Sequence, residues 1–512
     1  MHRISTLIIL SLCCTIFLVS SSCAQLKKNT GNNNLEIVKT NSSKDSVVLP
    51  KDSTKIASLD PVEFQIDTIV WVDTLIENSI KQTVIRYTKI GTNPIHRDTL
   101  SVVDLSATIE ELMEKQLRDV RVKPIYNVAV ILPFMTNLFS GRSEIPGQSI
   151  RAIEFYEGIK IALDSLKREG VNLKVNVFDS QKDQEGLDRV LEKMEGTEWD
   201  LIIAHTSTDV LKVLAEYGKK HQIPVVSAFN NNNSIAEGNH FYIQVNSGFE
   251  VHSRHIANFI NGNIKMPSQT GLKKINYLLL GMSEDSLKME MIQEAYSLSK
   301  NEPSARLPQM IGNEAISIGV LQKYFARDAL NVVVIPSDKS EIFVFSCLRE
   351  ISSLYNKIEP RNSYQFLVIG SSQWKYFERV NYEYYNNLHL HFTDEFFINK
   401  EDRKIKQFEE GYRQIYGIAP REFAYIGFDI MLYFGRMLKK HGTAFPDKLI
   451  DEPQALRHTR FEIEPVYEKT QTLDSAAIKV QNRISRFENQ YLNIIQFSEY
   501  DFKLINLEKQ RP

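Results

Sequence analysis

The chain has 512 residues, a formal charge of -2 and 43% hydrophobic residues. That is enough apolar content for sizeable cores and for about two or three domains. The near-neutral balance and the lack of any large basic block exclude a nucleic-acid-binding class, and short basic pieces such as "LKK" and "GKK" read as solvated surface.

The N-terminus reads as an export signal. A basic start, "MHR", precedes the apolar run "ISTLIILSLCCTIFLVS" and the small residues of "SSCAQ". The apolar run is too short for a retained membrane span. "SSSC", ending at Cys23, resembles a bacterial lipobox in which the cysteine becomes the lipidated first residue. Ser20 stands where that pattern prefers Leu, so ordinary cleavage after Ala24 is the alternative. Residues 1–23 are thus assigned to a signal peptide with lipobox. The mature chain keeps Cys23 and Cys347, and a lipidated Cys23 leaves no intramolecular disulfide to form. Cys347, within "IFVFSCLRE", reads as a buried small residue.

Residues 24–123 are expected to be a tether with short strands and one helix. Lys, Asn, Ser, Thr and Asp dominate as far as about residue 60. The alternating runs "VEFQIDTIVWVDTLIE" and "TVIRYTKIG" fit either strands of a small element or an extended linker. "DLSATIEELMEKQL" reads as a short amphipathic helix, with Asp104 or Ser106 as its cap.

From Pro124 onward, strands alternate with helices. "YNVAVILPF" is a buried strand and "IRAIEFYEGIKIALDSLKREG" a helix ending at Gly170. Strand "LKVNVFDS", helix "QEGLDRVLEKME", strand "DLIIAH", helix "TDVLKVLAEYGKKH" and strand "IPVVSAF" follow. After "HFYIQVNS" the alternation resumes with helix "EVHSRHIANFIN", strand "KINYLLLG" and helix "EDSLKMEMIQEAYSL". "AISIG" reads as a weak strand and "ALNVVVIPS" as a strong one. Helix "EIFVFSCLREISSLYN" and the strands "SYQFLVIGS" and "LHLHFTDEF" complete the block. Two similar blocks predict an α/β protein of two Rossmann-like lobes, each a parallel sheet flanked by helices. Ligands of such sheets lie beyond the strand C-terminal ends.

Those ends supply the candidate residues. Thr206, Ser207 and Thr208 precede a helix whose first N–H groups suit a carboxylate; simple capping by one hydroxyl is the competing reading, which Asp209 favours. Ser227, Ala228 and Asn230 end the next strand, and Asn231 to Asn233 read as a turn. In the second block Asp338 or Glu284 suits a ligand amine or a helix start, and Trp374 suits a cleft wall or lobe packing. Patterns for catalysis are missing: no GxSxG, HExxH, CxxC or phosphate-binding glycine loop follows a strand. Asp179, His205 and Ser207 have no spacing that makes a triad. His389 and His391 share a face if their segment is a strand, with Asp394 as a third ligand for a metal; ordinary polar-face histidines are the simpler reading. The chain is read as non-enzymatic, with no cofactor and no metal.

"VAVILPF", "WDLIIAHTSTDVLKVLAEYGKKHQIPVVSAFNNN" and "FEEGYRQIYGIAPREFAYIGFDIMLYFGRML" resemble the type I periplasmic binding-protein family in its branched-chain amino-acid-binding branch. The later segments "NVVVIPSDKSEIFVFSCLREI", "YQFLVIGSSQWKYF" and "FEEGYRQIYGIAPREFAYIGFDIMLYFGRML" are similar to an exported or lipidated subgroup of Bacteroidetes-type bacteria. The resemblance covers about residues 124–507 and implies interleaved lobes with three hinge crossings. Lobe one takes residues 124–247 and returns at 399–446. Lobe two takes 248–398, and residues 447–512 form an excursion and terminal strands on lobe two. In the family, a hydroxyl and N–H groups after the third strand hold a ligand carboxylate, which points to Thr206, Ser207 and Thr208. The next loop takes the amine, which points to Ser227, Ala228 and Asn230. Lobe two usually adds an aromatic and an acid. Here "GMSEDSL" has no aromatic, and "PSDKS" offers Asp338. Two functions follow from the resemblance. One is an envelope-anchored protein that captures a small polar solute, amino-acid-like or peptide-like, for a transporter or sensor. The other is a scaffold or regulatory lipoprotein of the peptidoglycan machinery, with a degenerate cleft. Both place the chain at the periplasmic face of the envelope, held by a lipid anchor to the outer membrane.

Overall fold

The computed structural model describes residues 64–71, 83–89, 123–139, 145–181, 183–235, 238–264, 272–355, 364–468 and 484–505. The signal peptide, Cys23 and the helix expected at 104–117 lie outside the described residues. Strands β1 (Phe64–Trp71) and β2 (Thr83–Lys89) pair antiparallel, with a register shift between Ile66 and Thr68. They form part of a unit of their own.

Besides an antiparallel pair, β13 (Gln454–Ala455) with β14 (Arg460–Phe461), the remaining described residues build two seven-stranded sheets. The first contains β3 (Tyr126–Leu132), β4 (Leu173–Asp179), β5 (Leu201–Ala204), β6 (Val225–Ser227) and β7 (Tyr242–Gln244). The order is β15-β16-β7-β6-β5-β3-β4, where β15 is Ile463–Tyr467 and β16 is Ile484–Asn489. The second contains β8 (Lys274–Gly281), β9 (Gln309–Ile311), β10 (Ala329–Val334), β11 (Gln365–Ile369) and β12 (His391–Asp394). It is completed by β17 (Asn493–Ser498) and β18 (Asp501–Leu504), in the order β18-β17-β12-β11-β10-β8-β9. Strands β3 to β7 pair in parallel, as do β8 to β12, while β15, β17 and β18 run antiparallel to their neighbours. Continuous apolar runs are what a sheet covered on both faces demands. Asn331 interrupts one, and its side-chain amide is satisfied by Ala326, Ala329, Gln365 and Asn276.

Two long helices knit the first lobe. Helix α1 (Gly147–Arg168) lies against α2 (Glu422–His441), which is buried along most of its length. Gly158 and Gly427 make that crossing close. A Cβ on Gly158 would stand 2.0 Å from the Ala424 carbonyl oxygen, and one on Gly427 would stand 2.1 Å from that of Phe155. The helix Arg403–Tyr416 joins the same core through Ile405, Phe408 and Tyr412.

Three expectations are corrected. The edge strand of the second sheet is Gln309–Ile311, while "AISIG" runs into a short helix at Ile318–Leu321. The segment expected as an excursion places β15 and β16 in the first sheet, and only β17 and β18 join the second. "ISRFEN" hides its strand character because two of its buried residues, Arg486 and Glu488, are charged and pair with each other at 2.6 Å. Third, His389 is not in a strand: its φ is 47°, and the strand begins at His391.

Candidate functional site

The chain passes between the two sheets three times, after β7, after β12 and between β16 and β17. Polar contacts bind these crossings together. Glu488 is buried, and its carboxylate accepts from Gly248 N at 2.7 Å and from Gln244 Nε2 at 3.3 Å. Ser247 Oγ donates to the Asn489 carbonyl at 2.8 Å. His252 contacts Thr393 Oγ1 through Nδ1 at 2.7 Å and Glu395 through Nε2 at 2.9 Å. Burial disfavours the imidazolium of His252, but Glu395, Asp394 and Glu488 outweigh it and hold its pKa above the usual histidine value. Burial likewise lifts Asp394 to about 6, against the pull of the Lys375 ammonium paired with it, and Glu395 adds to the lift.

Beside the crossings after β7 and after β12 lies a cavity of about 190 Å³. The C-terminal ends of β6 and β7 contribute Ala228, Phe229, Val245 and Asn246. The other lobe contributes Ser372, Gln373, Lys375 and Tyr376 after β11, and Asp394, Glu395 and Phe396 at the end of β12. Glu422 and Ile426 from α2 close one side, with His458, Thr459 and Phe461. Tyr376 donates its phenol to Glu422 at 3.0 Å and so bridges the lobes. His458 is held by Asp429, a fully buried carboxylate that accepts from the backbone N–H groups of Arg457 at 2.8 Å and His458 at 3.0 Å and contacts His458 Nδ1 at 2.6 Å.

The sequence candidates divide between two places. Thr206, Ser207, Thr208, Ser227, Ala228 and Asn230 gather at the adjacent ends of β5 and β6. Thr206 shares a 2.9 Å hydrogen bond with Ser180, and Asn230 Nδ2 donates to Thr208 Oγ1 at 3.0 Å. Ser207 occupies the N-cap of the helix Thr208–His221 without a side-chain capping bond. Ser227 is fully buried, with its hydroxyl directed to the Asn230 carbonyl at 3.5 Å. Ala228 alone of the six lines the cavity. Asn230 and Asn232 close local turns by accepting from Asn232 N and Ser234 N.

Asp338 and Trp374 stand apart from this group. Asp338 pairs with Lys288 at 2.5 Å within the second lobe. Trp374 is fully buried, donates its indole N–H to the Ser337 carbonyl at 2.8 Å and stacks on Tyr385, so its place is in the lobe core. Its neighbours Gln373, Lys375 and Tyr376 face the cavity instead. A 3-10 turn over Ser372–Tyr376 separates their directions, a local geometry that residue types do not announce.

The groups considered for catalysis are engaged elsewhere. Asp179 accepts from the backbone of Met135, Thr136 and Gln181, and His205 packs among Phe155, Phe229 and Phe423. His391 Nδ1 contacts the His389 carbonyl at 2.6 Å, and burial lowers its pKa to about 4. Among the described residues no group of three His, Cys, Asp or Glu side chains is placed to hold a metal. Cys347 is fully buried, which pushes its thiol pKa up. Among the described residues no helix is long and apolar enough to cross a membrane.

No family model and no curated protein sequence matches the chain. Solved structures do. A putative branched-chain amino acid ABC transporter protein from Rhodospirillum rubrum aligns over 74% of this chain and 100% of its own, at 13% identity and a TM-score of 0.52. An ABC transporter substrate-binding protein from Desulfitobacterium hafniense, in complex with Leu, aligns over 74% and 100%, at 13% identity and a TM-score of 0.47. At such identities the likeness concerns the fold. The chain has the two-lobed α/β fold of type I periplasmic binding proteins.

Proposed function

We propose that the protein is a non-catalytic solute-binding protein of the cell envelope that captures a small polar ligand between its lobes. The observation that carries this reading is the cavity between the lobes, at the strand C-terminal ends and beside the chain crossings after β7 and after β12. That placement lets lobe closure enclose a solute. An N-terminal lipid on Cys23 would hold the protein at the outer membrane with its lobes in the periplasm.

A second reading, a scaffold or regulatory lipoprotein of the peptidoglycan machinery, draws on a different observation. Ser227, Asp338 and Trp374 are occupied by contacts internal to their lobes. Those positions are then unavailable for an amino acid of the ordinary kind.

Thermal unfolding of the purified full-length chain with amino acids, short peptides and muropeptides separates the readings. A ligand that binds only the folded state raises the melting temperature. A saturable rise supports capture. No rise, together with envelope enzymes recovered by crosslinking, supports the scaffold.

A further inference from the structure

We infer that the solute taken by the interlobe cavity is a small organic cation, an amine or quaternary ammonium compound without a carboxylate. This rests on the solute-capture reading above. Three carboxylates line the cavity, Asp394, Glu395 and Glu422, against one lysine, Lys375, and one histidine, His458, whose Nδ1 is engaged by Asp429. Two of the three have cationic partners inside the protein. Lys375 pairs with Asp394, and His252 pairs with Glu395 at 2.9 Å. Glu422 differs, because its partner is the neutral phenol of Tyr376 at 3.0 Å. It also stands in the first turn of α2, where the helix dipole favours negative charge. Arg421, the adjacent cation, is directed to Glu154 instead.

The walls suit the same chemistry. Phe229, Phe396, Phe461 and Tyr376 place four aromatic rings around the cavity, and aromatic faces attract cations. A ligand carboxylate would meet an excess of negative charge here. The helix N-terminus at Thr208, which would serve such a carboxylate, does not line the cavity. Size restricts the ligand further. About 190 Å³ lies below the roughly 300 to 1,000 Å³ of pockets for drug-sized molecules. The ammonium group would compete with the Tyr376 phenol for Glu422 and so exchange an internal lobe-to-lobe bridge for one through the ligand.

The test is thermal unfolding and titration calorimetry of the full-length chain at low salt with ethanolamine, choline, acetate and leucine. The expected result is stabilisation by ethanolamine or choline, and the difference between them distinguishes an amine site from a quaternary one. Glu422→Gln should weaken that binding about tenfold or more, as loss of a charged hydrogen bond does. Tyr376→Phe removes the competing donor and should bind the cation at least as tightly as the parent. Stabilisation by acetate or leucine alone overturns the cation assignment and leaves solute capture standing. No stabilisation by any of the four overturns the inference and counts against capture as well. Undiminished binding by Glu422→Gln overturns the role of that carboxylate. If that variant does not fold, loss of binding in Tyr376→Phe overturns it, because the phenol would then be the group that holds the ligand.

Discussion

The phenol of Tyr376 donates to the carboxylate of Glu422 at 3.0 Å, and the two residues belong to opposite lobes. Tyr376 is 58% exposed, so solvent competes for this bond. A hydrogen bond of this kind contributes about 1 kcal/mol or less. Its weight falls on the relative placement of the lobes more than on their folding. Tyr376→Phe should therefore change the melting temperature by only a degree or two, by the usual scaling for a domain of this size. Its radius of gyration from small-angle scattering should rise as the cleft opens. A large loss of stability with an unchanged radius would contradict this account.

The crossing of α1 and α2 sets where Glu422 stands. Gly427→Ala forces a Cβ into the Phe155 carbonyl, backbone that cannot step aside cheaply. Overpacking of this kind costs about 3 kcal/mol. Gly411→Ala serves as the contrast: it lies in the helix Arg403–Tyr416 with nothing near its Cβ, and should gain about 0.5 to 1 kcal/mol. Urea unfolding of the two variants gives the comparison, and equal effects would count against a close helix crossing.

Asp429 ties the 457–458 segment to α2 from a fully buried position. Removing it in Asp429→Ala strands two backbone N–H groups and the His458 ring. The expected loss is about 3 kcal/mol, read by chemical denaturation. A loss below 1 kcal/mol would show that water or another group replaces the carboxylate with ease.

His252 gives the hinge a pH signature. Its folded pKa lies above the unfolded value of 6.5. The stability it contributes is therefore fully present below that pH and is lost as pH rises through the folded pKa. The gap in melting temperature between the parent and His252→Gln should be wide at acidic pH and narrow at alkaline pH. Asp394, raised to about 6, acts in the same direction in both proteins, and much of its effect cancels in the difference. Glu395, held low by His252 against burial, loses its share only in acid. A gap that widens with rising pH would reverse the assignment.

Much of the fold was legible because buried parallel strands leave unbroken apolar runs. "YNVAVIL" and "ALNVVV" announce themselves, and the helices between them carry amphipathic or buried periods. "ISRFEN" was not legible. Burial of Arg486 and Glu488 is tolerable only because each compensates the other, and that compensation is invisible along the chain. His389 and His391 misled for a related reason, since their spacing means one face only if both lie in a strand.

The sequence by itself determined the two α/β lobes and the loops at their strand ends, because hydrophobic period and chain order are local properties. Only the tertiary structure decided which groups meet in the cleft. Ser227 turned inward and Trp374 entered its lobe core, while Asn246, Tyr376 and Glu422 were brought to one cavity from three distant segments. The physical reason is that a cleft wall is selected by lobe packing. The close helix crossing at Gly158 and Gly427 and the 3-10 turn at Ser372–Tyr376 aim those side chains, and neither is expressed in the spacing of the residues they place.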